Sequence, residues 1–267
     1  MCYQVDHDYH IHSQLSACSA DPEQTAQRIL QYAKESGLSR ICLTDHYWDK
    51  AVPGASNWYA PQDFDHISQA KPLPQAEGVE FLFGCETDMD KFLTLGIPAE
   101  RWDDFDFVII PTTHLHMTGF TLPVEYKESN EMRARLWVER LEALLSRDLP
   151  FHKIGIAHLA CSLLDGRSRE NYLKTLSLIP TEDMERVFTK ATQVGCGIEL
   201  NQYDTECSEE EADTVLRMFR VAKACGCKFY MGSDAHHPES LDKAKKSFEH
   251  AVERLGLEES DKFHIGK

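Results

Sequence analysis

Apolar residues along this chain fall into two kinds of run. Short blocks at 5–12, 40–44, 79–86, 105–111, 153–158, 197–201 and 228–232 are bounded by turn-forming residues and read as strands. Between them lie longer stretches with apolar residues at helical spacing. One such stretch is 130–147, where Leu136, Val138, Leu141, Leu144 and Leu145 form a stripe. Alternation of the two predicts an α/β fold: a parallel sheet or barrel with helices outside. No internal repeat, low-complexity tract or linker divides residues 1–267, which predicts a single domain.

Helix starts are marked locally. Asp21, Pro22 and Gln24 read as a cap, a first-turn proline and a capping-box partner for a helix that runs to Ser36 and stops at Gly37. Ser208 to Glu211 reads as a second capping box, with acids on the positive end of the helix dipole. Further helices are expected over 181–194 and 240–255. Residues 47–78 differ: Pro53, Pro61, Pro72 and Pro74 stand among Trp48, Trp58 and Tyr59. Such a stretch predicts a lid or binding loop, broken by a short helix around 63–70.

Composition narrows the function classes. With 42% hydrophobic and 27% charged residues, 267 residues make an ordinary globular chain able to bury a sizeable core. Lys plus Arg is 28 and Asp plus Glu is 44, a net charge of −16, which argues against long nucleic acid or an anionic membrane as partner. No stretch approaches the ~18 consecutive apolar residues of a membrane span. The first ten residues lack a basic-then-apolar signal layout, and nine cysteines are too few for a disulfide scaffold. Reduced thiols and a cytoplasmic location are therefore expected. Cys225 and Cys227 stand one residue apart with no second pair to answer them, and read as packing thiols.

The histidines carry the chemistry. His10 and His12 close the first predicted strand, Asp45 and His46 follow the second, and Glu86 ends the third. His114 and His116 lie past the fourth, His158 closes the fifth, and Asp234 and His236 follow the seventh. In a parallel barrel these positions meet at the carboxyl ends of the strands, and the i, i+2 spacing aims His10 and His12 at one point. Imidazole and carboxylate donors suit Zn, Fe or Mn, and the missing thiolate set argues against a zinc finger. Six imidazoles and two carboxylates exceed one tetrahedral site, so two to three divalent ions are expected, with Glu86 and Asp234 as natural bridges. Such a pocket is locally positive whatever the chain's total, and favours a small phosphorylated substrate. Clustered metals also generate hydroxide at neutral pH, which points to phosphate-ester hydrolysis by a metal-bridging hydroxide.

The order H-x-H, T-D-H, a lone Glu, separate histidines and a closing D-x-H resembles the polymerase and histidinol phosphatase (PHP) superfamily, from Asp8 to Pro238. The resemblance implies a distorted seven-stranded (β/α) barrel with a trinuclear site at the C-terminal face of the strands. It implies that His10, His12, Glu86 and Asp234 hold one ion, that Glu86 bridges to a second with His114 and His158, and that His46 and His236 hold a third. Glu86, Asp234 and His236 are then the candidate catalytic residues. One departure stands out: Cys18 occupies the place of a further third-site histidine. Either its thiolate is a ligand, which would favour zinc, or the third ion is weak or lost.

Around this set, Asp45 and Asp8 are candidates to orient ligands. His116 and His237 are candidate substrate contacts or proton donors, and Arg167 and Arg169 are candidate phosphate-binding residues. Trp48, Trp58 and Tyr59 are candidates to stack on a ring-bearing leaving group, and Glu199 and Asn201 to line the pocket. His7, His66, His152, His250 and His264 read as surface residues. The activity that the resemblance implies is that of a histidinol-phosphatase-like phosphomonoesterase. The alternatives are a phosphodiesterase acting on nucleotides or small oligonucleotides, and a non-catalytic metal-binding domain.

Overall fold

A computed structural model describes residues 2–19 and 21–266. Its strands are β1 (His7–Ile11), β2 (Arg40–Leu43), β3 (Glu80–Glu86), β4 (Phe107–Pro111), β5 (Ile154–Ala157), β6 (Gly197–Asn201) and β7 (Lys228–Gly232). Each lies inside a predicted block. They pair in chain order and in parallel. β7 then returns to β1: the Asp234 N–H donates to the His10 carbonyl at 2.7 Å, and the His12 N–H to the Ala235 carbonyl at 3.1 Å. The sheet is thus a nearly closed seven-stranded barrel. Asp8 fastens the same seam, accepting the Ser233 N–H at 3.0 Å and the Tyr32 hydroxyl at 3.1 Å. Burial, only partly offset by these bonds, pushes its carboxyl up to about 6.

Strand residues alternate between two cores, as the period of two requires. In β4, Val108 and Ile110 pack outward against the helical layer, while Phe107 and Ile109 face inward with Tyr9, Tyr230 and Phe263. Both faces of the strands are therefore buried, which is why the blocks read as continuous apolar runs. The aromatic filling needs glycine opposite it. A Cβ on Gly155 would lie 2.4 Å from the Tyr230 hydroxyl oxygen and 2.5 Å from the Phe107 ring. Phe263 enters from the N-terminal end, where its N–H donates to the Phe229 carbonyl at 2.8 Å and Lys262 pairs with Asp6 at 3.1 Å. His7, expected at the surface, is buried under Tyr9 and accepts the Met231 N–H at 3.1 Å.

The helices are α1 (Ala26–Ser36), α2 (Phe64–Ile67), α3 (Asn130–Leu145), α4 (Arg169–Leu178), α5 (Thr181–Val194), α6 (Ala212–Val215), α7 (Arg217–Ala224) and α8 (Pro238–Leu255). Two starts differ from expectation. Gln24 is drawn inward, its amide donating to the carbonyls of His12 and Ala235, so α1 begins later with Thr25 as its cap. Asp21 instead caps the preceding turn through the Glu23 N–H. Glu211 takes the Ser208 N–H, but Ser208 does not cap in return, and α6 starts at Ala212.

One buried cation ties the loops above the barrel together. Arg140, on α3, donates to the carbonyls of Met89 (2.7 Å), Asp90 (3.0 Å), Thr112 (2.8 Å) and Thr121 (3.3 Å). These carbonyls belong to the loops after β3 and β4, which carry functional residues. Arg140→Ala would strand buried acceptors at about 1–3 kcal/mol each. The expected loss of stability is at least about 3 kcal/mol in urea denaturation, with Arg140→Lys recovering only part because an ammonium cannot span the same carbonyls. Wild-type stability in the alanine variant would show that these bonds are replaceable by water.

Candidate metal centre

The barrel's C-terminal mouth gathers the polar residues that end its strands. β1 carries a register shift between Asp8 and Ile11, the mark of a bulge. Across it Tyr9 and the next residue, His10, both face inward, so that His10 and His12 reach the mouth while Ile11 packs outward. Glu86 is the last residue of β3, and His46, His114, His158, Asp234 and His236 stand on the segments that leave β2, β4, β5 and β7. His158 (φ 60°) and Asp234 (φ 51°) are held in the left-handed region, which non-glycine residues rarely adopt. Their neighbours enforce it. The His158 N–H donates to Glu199 Oε2 at 3.0 Å, its carbonyl accepts from the Thr113 hydroxyl, and the Asp234 N–H is fixed on β1.

Among the described residues five groups of donor atoms result, each with all its atoms within 4.8 Å of one another. Three of them face the mouth: His10, His12, Glu86 and Asp234; Glu86, His114 and His158; and His12, His46 and His236. The other two, His10, His158 and Glu199, and His158, Cys161 and Asp204, lie behind His158. In the first, the distances of His10 and His12 Nε2 to Glu86 Oε2 and Asp234 Oδ1 run from 3.1 to 3.4 Å, and the two Nε2 atoms lie 3.1 Å apart. Donors about 2.0–2.1 Å from a tetrahedral ion stand roughly 3.3 Å apart, so this group fits one ion without rearrangement. Glu86 belongs to two groups, one oxygen toward each. Both its oxygens are fully buried, and neither receives a hydrogen bond. A naked buried carboxylate is costly unless a cation meets it, and that need makes the pocket suited to metal. The buried clusters as a whole are consistent with several ions.

In four of the six imidazoles the opposite nitrogen is engaged so that a lone pair is left for the mouth. His10 Nδ1 donates to Glu199 Oε1 at 2.5 Å, and His114 Nδ1 to Asp88 Oδ2 at 3.0 Å. His12 Nδ1 donates to the Ser16 hydroxyl at 2.9 Å, which itself donates to Asp45 Oδ1 at 2.7 Å. His236 Nδ1 donates to the Asp234 carbonyl at 2.8 Å. Asp45 therefore acts through Ser16, which also accepts the His46 N–H at 3.1 Å. Glu199, read in the sequence as a pocket-lining candidate, is instead the partner of His10 and His158. Asp88 and Ser16 escaped the sequence reading, and no local motif marks them. Asn201 spends its side-chain oxygen on the Tyr203 N–H, a strand-end bond.

The electrostatics are those of two carboxylates set among imidazoles. Burial opposes the charge on Glu86, yet His46 and His10 hold it well below the usual carboxylate range. Asp234 is likewise held low against its burial by His10, His236 and His158. Burial and the neighbouring imidazoles push His46 well below its usual range and His236 down to about 4. Against burial, His10, His12 and His158 are pushed up instead by the carboxylates beside them, and must give up their protons to bind a metal.

Above the centre opens a cavity of about 680 Å³, lined by Glu86, Asp234, His46, His114, His158 and His236, with His116 and His237 also on its wall. Trp58 and Tyr59, from the 47–78 segment, form part of the same wall, whereas Trp48 is buried and donates its Nε1–H to Val52. Cys18 lines the cavity but is exposed and joins none of the donor groups among the described residues. The two arginines stand elsewhere. Arg167 is clamped on Asp165 and on the Glu128 carbonyl, Arg169 on Glu211, and neither lines the cavity. The expectation that they bind phosphate is corrected on that ground: nearby carboxylates already occupy their guanidinium forks.

Among solved structures, the chain is similar to the histidinol phosphate phosphatase (HISK) of Lactococcus lactis subsp. lactis Il1403, solved in complex with zinc, L-histidinol and phosphate. They share 18% identity over 92% of this chain and 93% of that one, with a TM-score of 0.58. The hisK protein of Listeria monocytogenes is 14% identical over 91% of this chain and 99% of that one, with a TM-score of 0.61. At such identities the likeness concerns the fold. No curated protein matches the chain. The PHP domain model, however, matches residues 8–202, a span that takes in every donor up to His158. On that match, the chain belongs to the PHP domain family.

Proposed function

We propose that this protein is a metal-dependent hydrolase of small phosphate monoesters. The observation that carries the reading is Glu86, a fully buried carboxylate with no hydrogen bond, shared by two groups of donors at the floor of an open cavity. Zinc, iron or manganese suits these nitrogen and oxygen donors. His10, His12, Glu86 and Asp234 would hold one ion, and Glu86, His114 and His158 a second. His46 and His236 would hold a third, more weakly, since the single free lone pair of His12 is already spent on the first. When bound, such ions supply activated water and neutralise phosphoryl oxygens.

The chain's own part is positional. Glu199, Asp88 and the Asp45–Ser16 pair hold the rings of His10, His114 and His12, so that these three donors are presented without reorganisation. Glu86, Asp234 and His236 are the residues whose loss would stop the reaction. His116 and His237, on the cavity wall and outside the donor groups, would contact the substrate. His237 would protonate the departing alcohol oxygen, since burial pushes His116 down to about 4 and leaves it without a proton near pH 7. Histidinol phosphate is the first ester to try, because the Lactococcus lactis protein with this fold was solved with histidinol and phosphate.

Two outcomes are expected. Glu86→Gln should retain the fold by circular dichroism, lose bound metal by elemental analysis, and release phosphate at least about a thousandfold more slowly. Chelation should lower the melting temperature of the wild type more than that of the variant. A folded Glu86→Gln protein with near-normal turnover would sink the reading, and preference for bis(p-nitrophenyl) phosphate over every monoester would move it to diesters. Separately, Glu199→Gln should weaken metal affinity or activity by about 10–100-fold, because His10 loses its anionic partner. Unchanged zinc affinity in that variant would show Glu199 to be a strand-end residue only.

A further inference from the structure

We propose that the cavity selects monoesters whose alcohol part carries a flat, uncharged ring, and that Trp58 is the residue that reads it. This rests on the phosphomonoester reading above and narrows it.

Large apolar side chains left open to water mark binding surfaces when they sit together in a cleft. Trp58 and Leu163, each 37% exposed, both line this cavity, together with Tyr59, Met117 and Phe120. The other tryptophans, Trp48, Trp102 and Trp137, are buried. Trp58 is also held in place: its ring meets that of Tyr59 edge-on at 4.7 Å and that of His46 at 4.8 Å. It therefore stands one ring's width from the donor groups, where the ester substituent of a phosphate seated on the floor must pass.

Charge narrows the class further. No lysine or arginine lines the cavity among the described residues. Its carboxylates are Glu86 and Asp234, both members of the donor groups. A second phosphate or carboxylate on the substrate would meet no cation, and an ammonium no spare carboxylate. Polar sugar or nucleotide substituents would desolvate against Trp58, Met117 and Leu163, with only Ser56, Thr118, His116 and His237 on the wall to bond them. A ring alcohol loses nothing there, and stacks.

Benzyl phosphate and ethyl phosphate test this, since their alcohols are similar as leaving groups and differ in the ring. In metal-loaded protein, KM for benzyl phosphate should lie about tenfold below that for ethyl phosphate. Trp58→Ala should raise the benzyl KM about tenfold more than the ethyl KM, and Trp58→Phe should restore most of the difference. Calorimetry with benzylphosphonate and ethylphosphonate, which are not hydrolysed, should show the same Trp58-dependent preference in binding. Equal KM values, or an alanine variant that shifts both esters alike, would overturn the role of the ring. A lower KM for histidinol phosphate than for benzyl phosphate would overturn the requirement for an uncharged group. Should no ester be cleaved while benzylphosphonate still binds through Trp58, ring selection stands and the hydrolase reading falls.

Discussion

The mouth of this barrel is organised around the charge of Glu86. A carboxylate at the end of a buried strand has no water to solvate it, and no donor here satisfies it with a hydrogen bond. What surrounds it instead is imidazole: His46 Nδ1 lies at 3.1 Å, and His12 and His10 Nε2 at 3.2 and 3.3 Å. Packing these rings, tilted against one another, about one acid makes sense if a cation is to lie between them. The rest of the architecture then follows from keeping the rings still.

That stillness comes from residues which never reach the cavity floor. Glu199 holds His10 with one oxygen and the backbone of His158 with the other, so a single side chain of β6 spans two donors. Gly232 makes room for it, since a Cβ there would lie 2.1 Å from Glu199 Oε1 and 2.8 Å from His10 Cβ. The left-handed turns at His158 and Asp234 are the cost of aiming both side chains back over the barrel mouth. Seam bonds between β1 and β7 and the Arg140 cluster hold the surrounding loops to the same frame.

The frame accounts for what could be read locally. Seven strands were legible because residues buried on both faces form unbroken apolar blocks, and strand ends announce themselves by the polar residues that follow. Helix starts were less secure. A capping pattern such as that at Asp21 competes with tertiary demand, and Gln24 was needed more by the carbonyls of His12 and Ala235 than by the first turn of α1. Arginines were misleading for a related reason: Arg167 and Arg169 follow the right strand, but nearby carboxylates claim them first.

The sequence by itself determined which donors exist and that they follow strands, since residue type and the spacing of two along β1 are local properties. Only the tertiary structure decided how those donors divide into groups, which nitrogen of each ring is free, and that Cys18 stands outside the groups. A ring's free lone pair depends on what binds its other nitrogen, and for His10 that partner lies 189 residues away on another strand. The wall of the cavity is likewise a product of folding. Trp58 and Leu163 are unremarkable apolar residues in the chain, and face each other's cavity only because a barrel brings the segments after β2 and β5 to one rim.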